Sequence, residues 1–345
     1  MKQRLYAVIT LLLLLGVIVF FFNRYSFNGL KNDAPITVTD YKLNTYVTVT
    51  IYDSTDRTLL DECMALCDKY ELLFSRTNPE SELYKLNHGL LPLSEDGYYI
   101  ISEELFEIIE IAKKYSALSE DCFCIAMEPL TSLWNFTDGK NIVPSQDKID
   151  AVLPVLNSND VLLHSPNEIA FENDNMGIDL GAIAKGYIAD KIKEYLLSQD
   201  VQSALIYLGG NVLCIGEKEI GPFKIGIEKP FDADGTLVAV VSVSDTSVVT
   251  SGIDERYFEK DGNFYHHILD KTTGYPIVNE LTAITIITPV STDADALSTT
   301  CFSLGLEKGL DLLESLGYAD GFFITKDGEY HYTEGFEKKY SLETR

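Results

Sequence analysis

From residue 203 onward the chain is a succession of short strand-like runs joined by tight turns, and that pattern most constrains its fold. The runs SALIYL, FKIGI, TLVAVVSV, RYFEK, NFYHHIL, TAITIIT, GFFIT and EYHYT are rich in β-branched and aromatic residues, which suit a pleated, half-buried surface. Asp261-Gly262 and Asp327-Gly328 join two pairs of these runs, as two-residue hairpins require. Hairpins without regular strand–helix alternation predict an α+β fold of mixed, mainly antiparallel sheets with flanking helices. Upstream, TYVTVTIY (45–52) puts Val47, Val49 and Ile51 on one strand face. Residues 56–74 set Leu59, Cys63, Leu66, Cys67, Tyr70 and Phe74 at helical spacing, and residues 103–115 do so with Leu105, Ile108, Ile109 and Ala112. No linker or long-period repeat interrupts 39–340, which reads as one domain.

The N-terminus differs. Lys2 and Arg4 precede the uncharged stretch from Leu5 to Phe22, near the short end of the roughly 17–25 residues that span a bilayer. No small-residue cleavage site or lipid-accepting cysteine follows. The expectation is one uncleaved transmembrane helix within residues 1–25, a linker over 26–38, and a membrane partner. Arg24 and Lys31 only partly balance the cations on the other side, a bias toward a cell-membrane protein with its main domain outside.

A net charge of −26, from 27 basic and 53 acidic residues, repels phosphate backbones and excludes nucleic acid as a partner. A phosphorylated ligand would need local help from a metal, backbone amides or placed cations. The six cysteines form no C-x-x-C pair, and Cys63 and Cys67 fit the apolar face of their helix; disulfide pairing is not legible.

Four stretches combine small residues with charge or hydroxyls. GIDLGAIAKGYIAD (177–190) brackets a helix start with Asp179, Gly181 and Lys185, though a glycine-loosened turn alone accounts for it. Gly209-Gly210 follows a strand and reads as a turn. Thr250, Ser251 and Gly252 offer hydroxyls and amides to a phosphate or a flavin edge, or form an ordinary turn. In FYHHILDKTTGYP (264–276), strand alternation sends His266 and His267 to opposite faces, and Asp270 makes the second an acid–base candidate. A fifth, STDADALSTT (291–300), has two readings. Thr292 and Asp295 fit a capping box, while Asp295 and Thr299, four apart, present oxygens on one helical face as a magnesium ion accepts them.

Taken in order, FSRTNPESELYKLN, GIDLGAIAKGYIAD, ALIYLGGN, SVVTSG, YHHILDKTTG and DADALSTT resemble the ApbE family, the FAD:protein FMN transferases, over residues 39–335. The resemblance implies an ApbE-like (T-fold-like) α+β domain that takes FAD as substrate and uses Mg²⁺. It would pass FMN to a threonine of an acceptor protein, such as an electron-transfer flavoprotein with an Asp-x-x-Ser/Thr-Gly-Ala-Thr-like motif. It assigns Asp295, Thr299 and the Ala182 carbonyl to the metal, and Asp179, Gly181, Lys185, Gly209, Gly210 and Thr250-Ser251-Gly252 to FAD. His267 and Asp270 would be catalytic. FAD pyrophosphatase activity and non-catalytic FAD binding are the alternatives. The family pattern is altered at Leu43-Asn44-Thr45, at Phe123-Cys124-Ile125-Ala126, which loses polar groups, and at Asp270-Lys271. The chain has no acceptor motif of its own, since DTSVVTSG does not fit, so its target is a partner.

Overall fold

The computed structural model describes residues 34–345, of which Ile36–Arg345 form one compact unit. Its centre is an eight-stranded sheet whose spatial order repeats chain order: Ile36–Lys42, Thr45–Ile51, Ala204–Leu208, Asn211–Ile215, Ser247–Gly252, Leu281–Thr288, Asp320–Thr325 and Tyr330–Tyr332. Every neighbouring pair is antiparallel. Both faces are covered. Val249, Ile284, Ile286 and Phe323 pack with the helices, whereas Val248, Ala283, Ile287 and Phe322 pack beneath a three-stranded sheet of Phe223–Glu228, Leu237–Val243 and Glu343–Thr344. Burial on both sides explains why Leu281–Thr288 reads as an apolar run without alternation, every residue buried.

The helices expected at 56–74 and 103–115 are Thr58–Phe74 and Glu103–Leu118. The Ser102 hydroxyl accepts from Leu105 N at 3.3 Å and starts the second. Cys63 and Cys67 lie wholly buried in the first, and burial pushes both thiols up to about 12. All six cysteines are free.

The α+β, mainly antiparallel expectation holds, but the membrane-spanning part of the architecture is corrected. The anchor read at residues 1–25 lies outside the described residues, and among the described residues no helix is long and apolar enough to cross a membrane. The transmembrane helix, the membrane partner and the cell-membrane location with an external domain are therefore withdrawn.

Two helices carry the site, Ala184–Ser198 and Ser291–Leu304. They meet at Gly186, where an added Cβ would lie 2.3 Å from the Ser291 carbonyl oxygen and 2.8 Å from Asp295 Cβ. Gly186→Ala is therefore expected to force the helices apart and destabilise the fold by about 1–3 kcal/mol, read as a lowered Tm; an unchanged Tm would mean that the contact relaxes freely.

Candidate functional site

Strand direction brings the turns at Leu43-Asn44 and Gly209-Gly210 and the end of Ser247–Gly252 to one end of the sheet. Leu43 and Asn44 have φ of 54° and 57°, Gly209 and Gly210 of 54° and 83°, the left-handed geometry that two-residue hairpin turns require. At Gly209 no side chain fits, because a Cβ would sit 2.0 Å from Thr45 Oγ1. These turns rim a cavity of about 650 Å³, within the usual range for a small-molecule site.

Asp179, Gly181, Ala182, Lys185, Gly209, Gly210, Thr250, Ser251, Gly252, His267, Asp295 and Thr299 all line this cavity. Asp270 does not. Its carboxylate accepts from Thr272 N and Thr272 Oγ1, both at 2.7 Å, and from Thr273 Oγ1 at 3.3 Å, so it shapes the turn after His267 and not the cavity wall.

The Asp179 loop is tied at both carboxylate oxygens: Oδ1 accepts from Gly181 N at 2.8 Å, and Oδ2 pairs with Arg76 Nε at 3.1 Å. Asp179 N donates to the Ile125 carbonyl at 2.9 Å. The altered segment 123–126 thus supports this loop through its backbone, which its loss of polar side chains leaves intact. The changed Lys271 forms an ion pair with Asp121, which anchors the segment before Cys122 to the turn beyond His267.

At the start of Ser291–Leu304 the capping-box reading is corrected. Ser291 N and Thr292 N donate at 2.9 and 2.8 Å to the carboxylate of Asp190, on the neighbouring helix, and Thr292 Oγ1 donates to the same group at 2.6 Å. Capping from a second helix satisfies the exposed amides and leaves Asp295 for other work. Asp295 Oδ2 accepts from Gly186 N at 2.8 Å, and Oδ1 stands 3.6 Å from Lys185 Nζ, with 3% of the side chain exposed.

Hydroxyls continue this wall. Ser298 Oγ donates to the Asp295 carbonyl at 2.8 Å and lies 2.7 Å from Ser251 Oγ. Since the single Ser298 proton is spent on the carbonyl, Ser251 must donate to Ser298, so Ser251 offers lone pairs to the cavity.

His266 and His267 do diverge. His266 is buried, its Nε2 3.0 Å from the Ile277 carbonyl and its Nδ1 accepting from Ile268 N at 3.3 Å. His267 lines the cavity, with Nδ1 3.3 Å from the Arg256 carbonyl oxygen. A carbonyl only accepts, so Nδ1 carries the proton and Nε2 keeps its lone pair. Loss of water contact, then the Arg256 charge, lowers this imidazole to about 3, which keeps it neutral at pH 7.

Local spacing does not single out Arg76, Asp190 or Arg256 as parts of the site. Arg76, Lys185 and Arg256 put positive charge on a cavity wall in a strongly acidic protein. Arg76 and Asp190 stand inside the quoted motifs, but Asp179 lies 103 residues from Arg76, and Ser291 and Thr292 lie 101 and 102 from Asp190, relations that local spacing does not display.

The ApbE family model matches residues 43–323. An FAD:protein FMN transferase of Klebsiella pneumoniae (strain 342) is 36% identical over 306 residues, covering 88% of this chain and 90% of the relative. That of Treponema pallidum (strain Nichols) is 35% identical over 285 residues, covering 78% and 77%. Among solved structures, the ApbE protein of Thermotoga maritima superposes with a TM-score of 0.80 at 30% identity, over 88% of this chain and 98% of its own. The flavin transferase ApbE of Vibrio cholerae gives 0.78 at 25%, over 89% and 99%.

Proposed function

The chain belongs to the ApbE family and is an enzyme of the FAD:protein FMN transferase type, and on that premise we propose that it transfers FMN to a threonine hydroxyl of an acceptor protein in a magnesium-dependent step. The observation that carries this reading is the cavity shared by Lys185, Asp295, Thr299 and a neutral His267. The threonine oxygen attacks the FMN-side phosphorus of FAD, the bond from that phosphorus to the bridging oxygen breaks, and AMP departs with the electron pair. The threonine proton passes to His267 Nε2, the free lone pair of that ring. Lys185 and Arg256 offset the charge of the pyrophosphate.

The donor set fits magnesium. Among the described residues no group of three or more His, Cys, Asp or Glu side chains is placed to hold a metal. Magnesium needs none, since it is commonly held by one or two carboxylates with the substrate's phosphates. Among the described residues Asp295 Oδ1, nearly excluded from solvent, has only a long ion pair to Lys185, and the Thr299 hydroxyl and the Ala182 carbonyl would complete an all-oxygen set. Bound there, the ion would neutralise charge developing on the transferring phosphoryl group.

The test is to incubate the protein with FAD, Mg²⁺ and a peptide carrying Asp-x-x-Ser-Gly-Ala-Thr, and to weigh the peptide. The expected result is a gain of one FMN on the threonine that EDTA abolishes. FMN and AMP formed beside an unmodified peptide would reassign the chain as an FAD pyrophosphatase.

A further inference from the structure

Residues flanking the cavity lining build an exposed aromatic patch. Pro230 and Arg256 line the cavity, and the next residue after each, Phe231 and Tyr257, is 50% and 45% exposed. Their rings lie 5.4 Å apart, and Phe264 joins them at 5.6 Å from Phe231 and 4.9 Å from Tyr257. Phe231 holds this place at φ 62°, a conformation that a bulky side chain rarely adopts and that costs on the order of 1–3 kcal/mol. The strain is held by Asp254, another lining residue, whose Oδ2 accepts from Phe231 N at 3.1 Å. A strained backbone that keeps a phenylalanine half in water, at the mouth of a site that must admit a protein segment, calls for a partner.

The charge around the rings says what kind. Outside the cavity lining, residues 229–234 and 257–264 carry four acidic side chains, Asp232, Asp234, Glu259 and Asp261, against two basic, Lys229 and Lys260, a balance that favours cationic partners over anionic ones. FAD, with its pyrophosphate, matches the Arg76, Lys185 and Arg256 wall and not this rim. We propose that Phe231, Tyr257 and Phe264 form the docking surface for the acceptor protein, receiving an extended segment with basic residues beside its threonine. The inference rests on the transfer function proposed above.

The test uses two peptides with the Asp-x-x-Ser-Gly-Ala-Thr core, one flanked by lysines and one by glutamates. Phe231→Gly is the variant of choice, because glycine takes the same positive φ without strain; Phe231→Gly/Tyr257→Ala is the second. The expected result is that KM for the lysine peptide rises at least tenfold in both variants, with kcat and the Kd for FAD unchanged, and that the wild type prefers the lysine peptide. An unchanged KM, or no preference between the peptides, overturns the docking surface. A parallel rise in the Kd for FAD overturns it too, by assigning the rings to the flavin. If the wild type labels neither peptide yet cleaves FAD, the transfer function itself fails and the docking surface falls with it.

Discussion

Asp295→Asn is expected to lower FMN transfer by about 1000-fold, close to 4 kcal/mol of transition-state stabilisation, while leaving the fold nearly as stable. Both halves follow from the division of labour between two carboxylates. Asp190 caps Ser291–Leu304, so the helix does not need Asp295 to start. The asparagine amide oxygen can still accept from Gly186 N, the partner of Asp295 Oδ2. What is lost is the charge facing Lys185 and the proposed magnesium. Initial rates measured across a magnesium titration, with the Tm of each protein, check this. Wild-type rates in Asp295→Asn would remove the carboxylate from the metal site.

His267→Ala should retain FAD binding and lose transfer by about 100-fold or more, the scale of a positioned general base. The pH dependence is the sharper measurement. A base acts only when unprotonated, so kcat/KM falls as pH drops through its pKa. With the imidazole lowered to about 3 by burial and by Arg256, that fall belongs well below the 6.5 of an unperturbed histidine. A profile flat from pH 8 down to 5 is therefore expected, and an acid limb centred near 6.5 would show that His267 titrates as a free imidazole. His266 is not a neutral comparison. Its ring is buried and bonded at both nitrogens, so His266→Ala is a stability variant, and Asp270→Asn probes the turn that follows His267.

The features legible in sequence were those written in local spacing. The alternating strand Phe223–Glu228, the two apolar helix faces and the divergence of His266 from His267 follow from periods of two or 3.6 residues, and Leu281–Thr288 is legible as an unbroken apolar run between turns. The cavity-lining motifs were legible too, since a glycine beside a charge at an element's end is visible without knowing its neighbours. The opening strand Ile36–Lys42 was less visible, an edge strand with much of its length exposed, where little apolar alternation is needed. The Leu43-Asn44 turn was hidden because neither residue is glycine, although both take positive φ. Least legible was what caps Ser291–Leu304. Thr292 and Asp295 have the spacing of a capping box, but a carboxylate from another helix reaches the same amides, and no local pattern foretells a competitor arriving through tertiary packing.

The agreement between chain order and spatial order in the central sheet bears on how such a protein can change over evolutionary time. Each strand takes its register from the strand before it, so the excursions between strands leave and return at adjacent positions. Lengthening an excursion then adds little entropy penalty, about 0.6 kcal/mol for each doubling of a flexible loop, and disturbs no pairing elsewhere. The sheet can accordingly accept large inserts such as residues 52–203, which carry Arg76, Asp179 and Lys185, between two strands that remain hydrogen-bonded neighbours. Catalytic parts can be lengthened, exchanged or refined along these excursions while the hydrogen-bonded frame is inherited unchanged.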